Sequence, residues 1–304
     1  MGNQTTTQVF LSRLSSTLVL WATVTAVFFL QNPWGFVGLI TVLGIASANE
    51  FFRMSKKAAY PAQTWLGIGF SSLYLIAACS ILAHSGDHAH PYLTQLDAAA
   101  ICGLTLFSFI YQLKVEVKNA EPLTSVATTV LGFIYVTVLF SYMARILFIP
   151  LDSTEAQPLI PGAYLLLWLC IVTKFTDMGA YLTGTFCGKV LKLKTHKMIP
   201  HISPGKTWEG FFGAIIIALA SAASLYALIP EELSMLMGWG HVITLGILLP
   251  LFAVAGDLAE SVIKRSLAIK DSGSFLPGIG GALDLIDSLC FTAPVLYFYL
   301  IWIT

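Results

Sequence analysis

Nine apolar runs divide this chain, at 16–30, 34–52, 64–83, 96–114, 123–148, 162–184, 210–229, 241–260 and 286–303. Most are close to the ~20 helical residues that a bilayer core of ~30 Å requires. Composition agrees, since 57% of the 304 residues are hydrophobic and 11% are charged, against about a quarter charged in a soluble domain. The prediction is an all-α, polytopic integral membrane protein with nine transmembrane helices. The first run ends at Gln31-Asn32-Pro33 with no A-x-A cleavage site, so it reads as an uncleaved span rather than a signal peptide. The longest polar connection is about 25 residues. An active site must therefore be assembled from helix ends and short loops at the membrane surface.

The connecting loops set an orientation. Arg13 precedes the first run. Basic loops follow at Arg53, Lys56 and Lys57, at Lys114 and Lys118, at Lys189, Lys192, Lys194, Lys197 and Lys206, and at Lys264, Arg265 and Lys270. The loops between these have no Lys or Arg, and one holds Glu231 and Glu232. Basic residues collect on the cytoplasmic side, so the N-terminus is expected in the cytoplasm and the C-terminus outside. The chain then reads as an N-terminal set of about five spans, 1–160, and a C-terminal catalytic region, 161–304, with cytoplasmic loops 185–209 and 264–285. The clean alternation, without a transit peptide, points to a bacterial inner membrane. Net charge is zero and indicates no nucleic-acid partner. The five Cys lie in or beside apolar segments with no CxxC pair, which argues against a disulfide framework or a zinc site.

Where charge is scarce, its clustering is informative. Residues 257–288 carry Asp257, Glu260, Lys264, Arg265, Lys270, Asp271, Asp284 and Asp287, with Gly273, Gly278, Gly280 and Gly281 among them. On a helix, Asp257, Ser261 and Lys264 share one face, and so do Asp284 and Asp287 at the start of the last run. Acidic residues at a helix N-terminus are favoured by its dipole alone. Carboxylates from two helices near the hydrocarbon are costly, however, and usually functional. Asp257, Asp284 and Asp287 are hard oxygen donors suited to Mg²⁺, which takes one or two carboxylates together with substrate phosphates. Lys264, Arg265 and Lys270 can neutralise phosphate oxygens or simply mark the cytoplasmic side. The glycines admit a bulky ligand or make a turn.

A second charged stretch runs from Lys174 to Gly210. Asp177 sits near the cytoplasmic end of its span, one turn after Lys174, and a local ion pair is its plainest reading. Ser203-Pro204-Gly205-Lys206-Thr207 precedes a helix, whose N-terminus can bind an anion. Pro200 stands where a Walker A loop needs its first Gly, so a P-loop is excluded. Trp208 reads as an interfacial belt residue, Arg145 as an interface residue, and Glu50 as facing the site or a partner helix. His84, His88 and His90 with Asp87 match no metal-ligand pattern and read as a solvated loop.

These two stretches resemble the phosphatidate cytidylyltransferases, or CDP-diacylglycerol synthases. Ser261, Lys264, Arg265, Lys270, Asp271, Pro277, Gly280, Gly281, Asp284 and Asp287 fall in register with that family's C-terminal pattern. Gly256-Asp257, Asp177 with Gly179-Ala180-Tyr181, and Ile202 to Gly210 are similar to it as well. The likeness covers roughly the C-terminal 45% of the chain. Ile279 stands where the family usually has His, and Leu285 where it usually has Arg.

The resemblance implies transfer of the cytidylyl group of CTP to phosphatidate, in phospholipid biosynthesis. It implies a Mg²⁺ centre at Asp257, Asp284 and Asp287, with a second cation such as K⁺ left open. Lys264, Arg265 and Lys270 would hold phosphates and Asp271 would orient them. Ser203, Pro204, Lys206 and Thr207 would hold a triphosphate or lipid phosphate, with Asp177, Ser261, Gly280 and Gly281 also in contact with substrate. The family forms homodimers through membrane helices. The alternatives are a CTP-dependent lipid kinase, a secondary transporter of an anion or lipid, and an inactive relative.

Overall fold

The computed structural model describes residues 18–19, 22–57, 62–117, 119–149, 160, 162–192, 194–269, 272–273, 275 and 280–303. Among these, eight helices are long and apolar enough to cross a membrane. They are α1 (Pro33–Lys57), α2 (Thr64–Ser85), α3 (His90–Gln112), α4 (Glu121–Leu147), α5 (Ala163–Val190), α6 (Trp208–Leu228), α7 (Trp239–Ser266) and α8 (Ala282–Ile303). Each coincides with a predicted run. The first predicted run is described only in part, and its residues 22–30 are helical. The basic connection before α6 also holds a short antiparallel hairpin, β1 (Lys197–Ile199) and β2 (Ser203–Thr207).

Residue contacts divide the chain into two compact units, 1–160 with 267–286, and 161–266 with 287–304. Segment 267–286 groups with the N-terminal helices.

The first unit is built from α1–α4 and the start of α8. Asn32 caps α1, its Oδ1 accepting from the Trp34 N–H at 2.9 Å, with Pro33 at the first helical position. Lys56 and Lys57 fall in the last turn of α1, where the helix dipole favours cations. Two adjacent aromatic residues of α1 key the packing. Phe52 occupies the space that a side chain at Gly67 of α2 would need, and Phe51 does the same at Gly132 of α4. Both rings are buried. Just after Gly132, α4 passes through a π-helical segment, Phe133–Val138.

Arg145 is not the interface residue that the sequence suggested. It is 4% exposed, bonded through one guanidinium nitrogen to Asp97 of α3 at 2.6 Å and to the Tyr74 hydroxyl of α2 at 3.0 Å. Its guanidinium also lies 4.5 Å from the Tyr142 ring centroid. An intramembrane charge is tolerated when paired, and Asp97, one helix away, supplies the pair. Of the histidines expected in a solvated loop, His84 belongs to α2 and His90 opens α3 with its Nε2 2.9 Å from the Phe148 carbonyl oxygen, and the Asp87 side chain is outside the described residues.

The second unit is built from α5, the hairpin, α6, α7 and most of α8. The seam between α5 and α6 is made of small residues. A Cβ at Gly179 would lie 3.1 Å from the Ala214 Cα, one at Gly210 would lie 2.7 Å from the Ala180 carbonyl oxygen, and Gly213 receives Thr183. Small residues let helix backbones approach where lipid supplies no hydrophobic drive. Farther along, the Trp168 indole N–H donates to the Ala222 carbonyl oxygen at 3.1 Å. The outward surfaces carry exposed Phe212, Ile216 and Ile243, suited to lipid and not to water.

Candidate active site

The hairpin connection is ordered by its own side chains. Thr207 caps α6, its hydroxyl oxygen accepting from the Gly210 N–H at 3.1 Å. Glu209, in the first turn, accepts from the His196 backbone N–H at 3.1 Å and pairs with its ring at 2.8 Å. Capping of this kind fixes the angle at which a chain enters its helix. Thr207, expected to touch substrate, thus has its hydroxyl engaged in the fold. The residues before it on β2 are more open, with Ser203 and Lys206 half-buried and Pro204 exposed.

Lys206 reaches from β2 to α7, and its Nζ lies 2.7 Å from Asp257 Oδ2. Both side chains are partly accessible, at 18% and 32%, so the pair can be reached from solvent. Asp257 stands beside Gly256, where α7 and α8 meet backbone to backbone. A Cβ at Gly256 would sit 2.7 Å from the Asp287 carbonyl oxygen and 3.0 Å from the Ser288 Cα. Glycine therefore brings the neighbourhoods of Asp257 and Asp287 together. Asp287 is buried, and its Oδ1 accepts from the Ser288 N–H at 2.6 Å.

Asp177 completes the acidic group of this unit. Lys174 Nζ is 3.8 Å from its Oδ2, as the local reading anticipated. α5 runs on to Val190, so Asp177 is followed by thirteen helical residues, the last five of them π-helical, and sits mid-helix.

Farther along α7, Lys264 Nζ pairs with Glu260 Oε2 at 2.9 Å, and Glu260 is 3% exposed. Arg265 Nε donates to the Ile202 carbonyl oxygen at 3.2 Å, tying the end of α7 to the turn between the strands. Ser261 lies one turn after Asp257 and is half-buried. No site role was expected of Glu260. Its spacing of four residues from Lys264 was the available signal.

In the first unit, Gly280, Gly281 and Asp284 form the entry to α8. Gly280 has φ +129°, a conformation that L side chains rarely adopt. The Gly281 N–H donates to Asp284 Oδ2 at 2.9 Å. Asp284 therefore acts as the acidic member of a capping box, the plain role that its position also allowed. Lys270, Asp271, Pro277 and Ile279 lie outside the described residues.

The donor set can be tested against Mg²⁺. Among the described residues, no group of three or more His, Cys, Asp or Glu side chains is gathered in a geometry that could hold a metal ion. The second unit instead brings Asp257 and Asp287 to a close helix contact with lysine at hand. Two hard carboxylates, with substrate phosphates completing the shell, fit Mg²⁺, which seldom sits in an all-protein cage.

Known proteins resemble this chain over most of its length. The model of the cytidylyltransferase family matches residues 11–303. A phosphatidate cytidylyltransferase of Haemophilus influenzae is 33% identical over 297 residues, covering 94% of this chain and 97% of that protein. One from Bacillus subtilis is 31% identical over 266 residues, covering 87% and 88%. One from Staphylococcus aureus is 33% identical over 217 residues, covering 71% and 74%. With the match extending over both units and every described helix, this chain belongs to the cytidylyltransferase family.

Proposed function

We propose that the acid–base group of the second unit is the site at which this enzyme transfers the cytidylyl group of CTP to phosphatidate. A phosphate oxygen of phosphatidate attacks the α-phosphorus of CTP. The bond from that phosphorus to the oxygen bridging to the β-phosphate breaks, and pyrophosphate leaves with the electron pair. CDP-diacylglycerol is the product. The observation that carries the reading is the Lys206–Asp257 pair beside the Gly256 contact with Asp287. It joins a basic loop to carboxylates on spanning helices, where a soluble nucleotide can meet a lipid.

Nucleotidyl transfer demands positioning and charge neutralisation more than covalent catalysis. Lys206, Lys174 and Arg265 supply positive charge for phosphate oxygens, with Lys264 held ready by Glu260. Asp257 and Asp287 would hold Mg²⁺, with Asp284, one turn earlier on α8, the third carboxylate expected from the sequence. When bound, the ion supplies charge neutralisation on the triphosphate. A second cation such as K⁺ has no assigned ligand. Lys270 and Asp271 keep their sequence-derived roles in holding and orienting phosphates. A transporter is the second reading, favoured by the mid-helix position of Asp177. A lipid kinase would share the nucleotide but leave phospho-lipid and CDP.

The full topology belongs to the same proposal. Residues 16–30 form a ninth span, the N-terminus faces the cytoplasm, and the protein works as a homodimer in a bacterial inner membrane with its site on the cytoplasmic side. The alternation of basic and non-basic loops supports the orientation.

The decisive experiment incubates purified protein in detergent with phosphatidate, Mg²⁺ and α-labelled CTP. Label is expected in the lipid phase, falling by about 100-fold or more in Asp257→Asn and on chelation of the metal. Labelled nucleotide that never enters lipid, under conditions where the H. influenzae enzyme works, would refute the reading.

A further inference from the structure

Glu50, on α1, is far in sequence from every residue assigned above, yet its carboxylate is built into the entry of α8. Oε2 accepts from the Leu283 N–H at 3.0 Å. That N–H is one of the donors that an α-helix leaves unpaired in its first turn. Two glycines make room for the acid. A Cβ at Gly273 or at Gly281 would collide with the Glu50 carboxylate. A Cβ at Gly281 would also strike the hydroxyl of Ser272, a buried residue whose Oγ has no hydrogen-bond partner among the described residues. Gly281 in turn donates its N–H to Asp284, and a Cβ at Gly280 would lie 2.8 Å from Asp284 Oδ2. The first turn of α8 is thus held twice, by Asp284 from within and by Glu50 from another helix.

A carboxylate near the hydrocarbon is costly, and a helix N-cap needs no charged residue from another element. Asn, Ser or Thr within the turn would cap as well. The presence of Glu50 here, with two glycines cleared for it, calls for a reason beyond capping. Its position supplies one. Glu50 fixes the turn that carries Asp284, and its negative charge bears on the same helix end.

We propose that Glu50 is a positioning residue for the transfer reaction, setting the rotamer and electrostatic surroundings of Asp284 through Leu283 and Gly281. This rests on the reading of Asp284 as a working carboxylate.

The test uses the full-length protein in detergent with three variants: Glu50→Gln, Glu50→Ala and Gly281→Ala. Hydrogen exchange is followed in the peptide spanning 280–288, melting temperature is recorded, and turnover is measured against CTP and against Mg²⁺ concentration. In Glu50→Ala, exchange at the first turn of α8 should rise by about tenfold, the size expected when a charge-assisted hydrogen bond is lost. kcat should fall by roughly tenfold or more, with KM for CTP within about twofold and half-saturation by Mg²⁺ shifted upward. Glu50→Gln keeps the acceptor without the charge, so it should restore the exchange protection but only part of kcat. Gly281→Ala should behave like Glu50→Ala. Unchanged exchange and turnover in Glu50→Ala would overturn the proposal. So would a loss of activity that merely follows a lowered melting temperature, or full recovery by Glu50→Gln. If the wild type transfers no label to lipid, the cytidylyl reading fails by itself. The exchange measurement then still decides whether Glu50 holds the turn.

Discussion

Lys206 and Asp257 bond at 2.7 Å across the boundary between a loop and a span. In the proposed reaction their value is catalytic more than structural. Both are partly exposed, and an ion pair in that setting contributes about 1 kcal/mol or less. Replacing Lys206 with Met should therefore move the melting temperature by no more than about 2–4 °C. It should lower kcat/KM for CTP by roughly ten- to a hundredfold, because a charge-assisted phosphate contact is lost. Thermal denaturation beside initial rates checks both halves. A large melting shift with normal kinetics would return Lys206 to a structural role. Arg145 is the opposite case, since it is buried, paired with Asp97 and distant in sequence from the acidic group. A lone Arg near the end of an apolar run is indistinguishable from an interfacial anchor until its partner on another helix is known.

Among the elements, the α7–α8 contact at Gly256 carries the proposed pairing of Asp257 with Asp287. The atoms that a Cβ would meet there are backbone atoms of Asp287 and Ser288, which cannot turn aside as a side chain can. Gly256→Val should cost about 1–3 kcal/mol in overpacking and lower lipid labelling by more than about tenfold as the carboxylates separate. The control is Gly240→Ala on the same helix, where a Cβ meets nothing within 4 Å. It should leave both quantities unchanged, and equal effects from the two variants would refute the close-contact explanation. The hairpin before α6 was not legible in the sequence, because Lys197–Ile199 and Ser203–Thr207 lack the alternation of apolar and polar residues that marks a half-buried strand. Their pairing depends instead on the caps at Thr207 and Glu209.

For the whole molecule, eight of the nine predicted runs are spanning-length helices, and the orientation makes a direct prediction. An alkaline phosphatase fused after Thr304 should be active, and the same enzyme fused in the 185–209 loop should be inactive. The reverse pattern would invert the topology and place the acidic group outside, away from the cytoplasmic nucleotide. The two-unit organisation has a consequence of its own. Segment 267–286 belongs with the N-terminal helices, so α8 begins in one unit and continues in the other. Asp284 and Asp287, one helical turn apart, are consequently supported by different sets of helices.

The sequence by itself determined the helices, because runs of about twenty apolar residues have few other stable states beside a bilayer. It also carried the family, because the stretches 174–210 and 257–288 hold the residues that resemble the cytidylyltransferases. Tertiary structure decided which of those residues are already engaged. Thr207 and Asp284 are drawn into helix caps, Lys264 into a pair with buried Glu260, and Arg145 into a pair with Asp97. It also decided that Asp177 lies mid-helix and that Glu50 reaches across to the α8 entry. Hydropathy depends on neighbours along the chain, whereas hydrogen bonds such as Glu50 to Leu283 join residues 233 positions apart. Only packing brings such partners within reach.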